Sequence, residues 1–201
     1  MSNVIIGIHG LGNKPPLNLL EHWWKLSMNE GLKAGNYKGL IPDFKLVYWA
    51  DILHKKPQDP NEKDIDSPWF LDERYIRAPE DFPVEDHSTR QRVVDYIGQQ
   101  INRIFLNKDL TLNYSFISDA IISRYFEDLE VYYSGKVTGG KNRILRIKDA
   151  IRERLADTLM EHKNDNIMLI GHSMGSIIAF DVLAFLVPEV RIDTFVTMGS
   201  P

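Results

Sequence analysis

Short unbroken apolar runs alternate along this chain with longer stretches whose apolar residues recur at helical spacing. Val4 to His9 is a β-branched run without polar alternation, which predicts a strand buried on both faces of a parallel sheet. A loop, Gly10 to Pro16, follows it. Residues 17 to 34 then place Leu19, Leu20, Trp23, Trp24 and Leu32 at helical spacing, with Gly31 and Gly35 weakening the end. Lys45 to Asp51 (KLVYWAD) predicts a second strand. Further on, Ile144, Ile147, Ile151, Leu155 and Leu159 form an amphipathic stripe with Arg, Lys, Asp and Glu opposite. The strand Ile167–Ile170 leads through Gly171–Gly175 into a helix from Met174 to about Leu186, stopped near Pro188. A last strand spans Thr194–Met198. Strands alternating with helices predict right-handed crossovers and a mostly parallel sheet between helical layers, an α/β three-layer sandwich.

The pattern breaks at residue 54. Between His54 and His87 stand ten acids, five bases and five of the chain's ten prolines, so this stretch carries −5 and the rest sums to +1. It reads as an excursion from the core. Ser88-Thr89-Arg90-Gln91 resembles a capping box ahead of Val93, Ile97, Ile101, Ile104 and Phe105 on one helical face. Residues 115 to 133 carry a weaker helical pattern, and Gly135–Asn142 reads as a loop. The expected organisation is a core of residues 1–53 and 143–201, interrupted by a largely helical insertion over 54–142, which the family resemblance described below implies is a cap or lid. Within it, the apolar triplet Trp69-Phe70-Leu71 is either a lid tip or an anchor onto the core.

Composition removes several classes. Twenty-four Lys and Arg against 28 Asp and Glu leave a net charge of −4, which offers no broad phosphate-binding surface and argues against nucleic acid as a partner. With no cysteine, disulfides, thiolate metal sites and a Cys nucleophile are excluded. No His, Asp and Glu grouping has metal-ligand spacing, no glycine-rich loop follows a nucleotide pattern, and no cofactor is expected. No window approaches the ~20 apolar residues of a membrane span. The N-terminal apolar run lacks a basic n-region and a cleavage site, so a cytoplasmic location is expected.

Chemistry concentrates at Gly171-His172-Ser173-Met174-Gly175, a G-x-S-x-G sequence between an apolar strand and a nearly all-apolar helix. That is the strand–turn–helix setting of a nucleophile elbow. Glycine two residues either side of Ser173 removes side chains that would collide with neighbouring backbone. The helix N-terminus favours a developing oxyanion with its dipole and its free N–H groups. Ser173 is therefore the candidate nucleophile, and the plain alternative is a serine that caps the helix. His9-Gly10-Leu11-Gly12 ends the first strand, and its glycines let backbone N–H groups turn toward an oxygen. Leu11 and Met174 are the expected oxyanion-hole donors.

Together these motifs resemble the α/β-hydrolase superfamily over residues 3–51 and 143–201. VIIGIHGLGN is similar to that family's oxyanion-loop strand, IMLIGHSMGS to its elbow, and VTMGSP to the strand after the elbow helix. The resemblance implies a serine esterase or lipase-like enzyme acting on a small-molecule ester or acyl substrate. It further implies a triad in the order Ser, acid, His. The 28 residues after Ser173 contain Asp181, Glu189 and Asp193 but no histidine. The acid and base are accordingly expected beyond residue 201, with the chain an incomplete core that is poorly active alone. A non-catalytic binding or regulatory module that keeps the fold is the rival expectation. His9 and His172 are expected as packed, structural imidazoles, His22 and His162 as solvated, and Asp51 as a loop anchor. His54 or His87 would serve only as a substitute base.

Overall fold

The computed structural model describes residues 1–71, 74–78 and 141–199. Its elements follow in the order β1 (Asn3–Ile8), α1 (Leu17–Ala34), β2 (Asp43–Val47), α2 (Ala50–Leu53), α3 (Lys141–Glu161), β3 (Asn166–His172), α4 (Met174–Phe185) and β4 (Thr194–Met198). The four strands form one sheet in the order β2-β1-β3-β4, and every pairing is parallel. This is the expected α/β architecture.

The β-branched run of β1 is buried because β1 is a central strand with helices on both faces. Val4, Ile6 and Ile8 join Ile167 and Leu169 of β3 on one face, beneath Ile151, Leu155 and Leu159 of α3 and Ile178 and Val182 of α4. Ile5, Phe44, Leu46 and Ile170 occupy the other face, covered by Leu20, Trp24 and Met28 of α1. Trp24 stacks on Phe44 with ring centroids 5.8 Å apart, so it packs on the sheet as its helical spacing predicts. The stripe of α3 supplies three of the largest fully buried side chains, Ile151, Leu155 and Leu159. On its polar side, Arg152 and Lys148 pair with Asp181 of α4, which joins the two helices on their shared face.

Several boundaries differ from expectation. The second strand runs from Asp43 to Val47 and stops short of Asp51, because Ala50 opens the helical turn α2 and Trp49 leaves the ladder for a different partner. The last helix of the stripe begins at Lys141, inside the stretch read as a loop. The capping box and the helical patterns between 88 and 133 lie outside the described residues, as does His87. Among the described residues, the start of the excursion is fastened to the loop after β1. Gln58 donates its backbone N–H to Lys14 C=O at 2.9 Å, and Asn13 Nδ2 donates to Lys56 C=O at 3.0 Å. Leu71 is buried, while Trp69 lies at the surface under the Lys56 ammonium, so the triplet anchors inward through its third residue.

No helix among the described residues is long and apolar enough to cross a membrane.

Candidate active site

Strand order locates the site before any side chain is considered. From β1 the chain passes over one face through α1 to β2, whereas β3 lies on the other side of β1 and leads into α4 on the opposite face. In open parallel sheets, such a reversal opens a crevice outside the carboxyl ends of the two central strands. Ile8 is in register with Gly171, so the loops that leave β1 and β3 start side by side there. One carries Gly10, Leu11 and Gly12, and the other carries Ser173.

Ser173 joins β3 directly to α4 and adopts φ 51° and ψ −127°. It is one of only two described non-glycine residues with positive φ, a conformation that costs roughly 1–3 kcal/mol and persists only where surroundings impose it. Those surroundings are identifiable. A Cβ on Gly171 would lie 2.7 Å from Ser176 Cα, and one on Gly175 would lie 2.4 Å from Ile8 O. Ser173 N–H donates to Met198 C=O at 2.8 Å, and Ser176 Oγ donates to Gly171 C=O at 2.9 Å. The turn is thus held by β1, β3, β4 and the first turn of α4 together.

The Ser173 side chain does not cap α4. Its positive φ departs from the extended conformation of an N-cap residue, so the capping account of this serine is set aside. Gly10 packs against it from the β1 side, where a Cβ would meet Ser173 Cβ at 2.8 Å. Among the described residues, neither Leu11 N–H nor Met174 N–H donates to a protein acceptor. Both residues are nevertheless buried, and Met174 is the first residue of α4. Among the described residues these are unengaged donors, one of them opening the helix that follows a strained serine, and such N–H groups are suited to receiving an oxyanion.

His9 is not a base for this serine. Trp49 backbone N–H donates to His9 Nε2 at 3.0 Å, which leaves Nδ1 as the protonated nitrogen, donating to Gly10 C=O at 2.8 Å. Burial, opposed by the Gly10 bond and reinforced by the Lys14 charge, pushes the imidazole down to about 3. The ring is neutral, fully committed, and stacked 4.9 Å from the Trp49 indole at 11°. Sequence reasoning anticipated a structural His9 but missed Trp49, whose indole N–H also donates to His9 C=O at 2.9 Å.

The remaining polar candidates lie elsewhere. His172 is exposed at the end of β3, with its ring beside Gly10. His162 is not simply solvated, since its Nδ1 and Asp165 Oδ2 are 3.0 Å apart at the other end of the sheet. Asp193 accepts the Ile167 N–H at 2.8 Å, also at that far end. Asp51 binds Arg154 of α3, which donates in addition to Tyr48 C=O, so it anchors an element, as expected. The neighbouring Tyr48 hydroxyl is pushed up to about 12 by burial and by the Asp51 charge. No described carboxylate or imidazole is hydrogen-bonded to Ser173 Oγ, and no described group of three His, Asp or Glu is placed to hold a metal.

Family models, curated proteins and solved structures give no match to this chain.

Proposed function

We propose that this chain is a serine hydrolase of the α/β-hydrolase type, with Ser173 as nucleophile, acting on a carboxylic ester. The observation that carries the reading is the strained Ser173 turn between β3 and α4, with Gly10 of the β1 loop against it. A non-glycine residue kept at φ 51° by four elements, with its hydroxyl unused as a cap, fits a nucleophile better than a connector.

In this reading Ser173 Oγ attacks the ester carbonyl carbon and gives its proton to a general base. The carbonyl π electrons move onto oxygen, which the Leu11 and Met174 N–H groups receive. Each such donor typically supplies ~2.7–4 kcal/mol of transition-state stabilisation. Collapse of the tetrahedral intermediate breaks the bond to the leaving alcohol, which takes up the proton held by the base. Water then attacks the acyl-serine by the same route in reverse, releasing the acid and restoring the hydroxyl. The base is a histidine outside the described residues, oriented by an acid also outside them.

Because no described base meets Ser173, a second reading stands beside the first: a binding or regulatory module that keeps the elbow without turnover. Hydrolysis of p-nitrophenyl acetate by the intact protein and by Ser173→Ala separates the two. The enzyme reading expects hydrolysis that the substitution removes, and the module reading expects equal background rates.

A further inference from the structure

The loop after β1 is aimed by side chains that never reach the serine. In a trans peptide the N–H of one residue points opposite to the C=O of the residue before it, and no described peptide bond is cis. The Gly10 carbonyl accepts from His9 Nδ1 at 2.8 Å, which fixes the plane that carries the Leu11 N–H. The His9 carbonyl accepts from Trp49 Nε1 at 2.9 Å, which fixes the preceding plane, the one that carries the Gly10 N–H. The imidazole is itself held by the Trp49 backbone N–H and by stacking on the Trp49 ring.

We propose that Trp49 and His9 are positioning residues that set the β1 loop for oxyanion binding, His9 fixing the Leu11 N–H through Nδ1 and Trp49 fixing the preceding peptide through its Nε1 donor. This rests on the serine-hydrolase reading above and adds to it a residue just past the end of β2, 40 positions away in sequence from His9. Both carbonyls are engaged by side-chain donors, so the loop presents donors rather than acceptors to a developing negative charge. A carbonyl swung into the hole would repel the oxyanion and remove a donor at the same time.

The alternative is that Trp49 is simply core. Volume and hydrogen bonding are separable here. Trp49→Phe removes the Nε1 donor with some loss of volume, and β-(3-benzothienyl)alanine at position 49 removes it at nearly constant shape. The measurement is the saturation kinetics of a fluorophosphonate on the intact protein, which separates the limiting rate of phosphonylation from probe affinity. Phosphonylation forms the Oγ–P bond, expels fluoride and passes the hydroxyl proton to base, through a transition state whose charged oxygen needs the same donors. Expected for both variants is a fall of about ten-fold or more in the limiting rate, with affinity for the probe unchanged and the melting transition still cooperative. If the unsubstituted protein is phosphonylated and the benzothienyl variant reacts at the same limiting rate, the positioning role is overturned and the hydrolase reading survives. If the unsubstituted protein is not phosphonylated, the hydrolase reading falls and this inference falls with it.

Discussion

Gly10 stands so close to Ser173 that a methyl group on its Cα would sit 2.8 Å from the Ser173 Cβ and 3.1 Å from the His172 carbonyl oxygen. The loop after β1 and the turn after β3 are therefore a single packed unit. Whatever displaces one displaces the other.

Gly10→Ala is the direct probe of that unit. The added methyl group has backbone on one side and the strained serine on the other, so it cannot be absorbed by a rotamer change. Overpacking of this kind costs roughly 1–3 kcal/mol. The variant is expected to melt lower and to lose most of its reactivity toward a fluorophosphonate, as read by thermal unfolding and labelling rate. Unchanged values of both would show that the contact is slack.

Strain at Ser173 predicts a trade of function for stability. Glycine tolerates φ 51° and ψ −127° without penalty but loses about 0.5–1 kcal/mol more backbone entropy on folding. Ser173→Gly is accordingly expected to raise stability by about 1 kcal/mol in urea titration while abolishing labelling. A variant less stable than the parent would remove the argument that the turn is strained.

Acid sensitivity should report on His9. Its folded-state value near 3 lies below the ordinary 6.5, so the unfolded chain binds the extra proton and stability falls as pH drops between those values. The slope is at most ~1.4 kcal/mol per pH unit, about 2 kcal/mol between pH 6.5 and 5. Asp165, held at about 2 by the Ser2 hydroxyl and then by His162, contributes only below its usual 3.8 and leaves that window clear. His9→Gln is expected to lower stability at neutral pH and to flatten the slope between pH 6.5 and 5. An unchanged slope in denaturant titrations across that range would mean that another group carries the acid dependence.

Asp51 tests the distinction between a site residue and a strut. Its carboxylate is 53% exposed and paired with Arg154, and exposed pairs contribute about 0–1 kcal/mol. Asp51→Asn is expected to shift stability by less than about 1 kcal/mol and to leave labelling at the parent rate. A large loss of labelling in a folded variant would place Asp51 in contact with substrate after all.

The elbow was legible in sequence because its signal is steric and local. Gly171 and Gly175 stand two residues either side of Ser173, and a Cβ added to them would meet the Ser176 backbone at 2.7 Å and the Ile8 oxygen at 2.4 Å. Burial of Ile6 and Ile8 on one face and Ile5 on the other was legible too, since an unbroken β-branched run has no exposed side. Trp49 was not. It sits in KLVYWAD, where aromatic and β-branched residues all point to strand, and its partner His9 is 40 residues away. Only the sheet, by pairing β1 with β2 through Ile8 and Val47, brings the two together. The end of β2 was misplaced for the same reason. Leaving the ladder after Val47 gains hydrogen bonds to His9 that no local pattern encodes.

The central claim is that Ser173 is a nucleophile, and site-resolved labelling tests it most directly. The intact protein is incubated with a fluorophosphonate, digested, and the modified residue located by tandem mass spectrometry. The account predicts a single phosphonyl adduct on Ser173, absent from Ser173→Ala and lost on unfolding before exposure to the probe. No adduct on the folded protein, or an adduct on another residue that persists in Ser173→Ala, would contradict it.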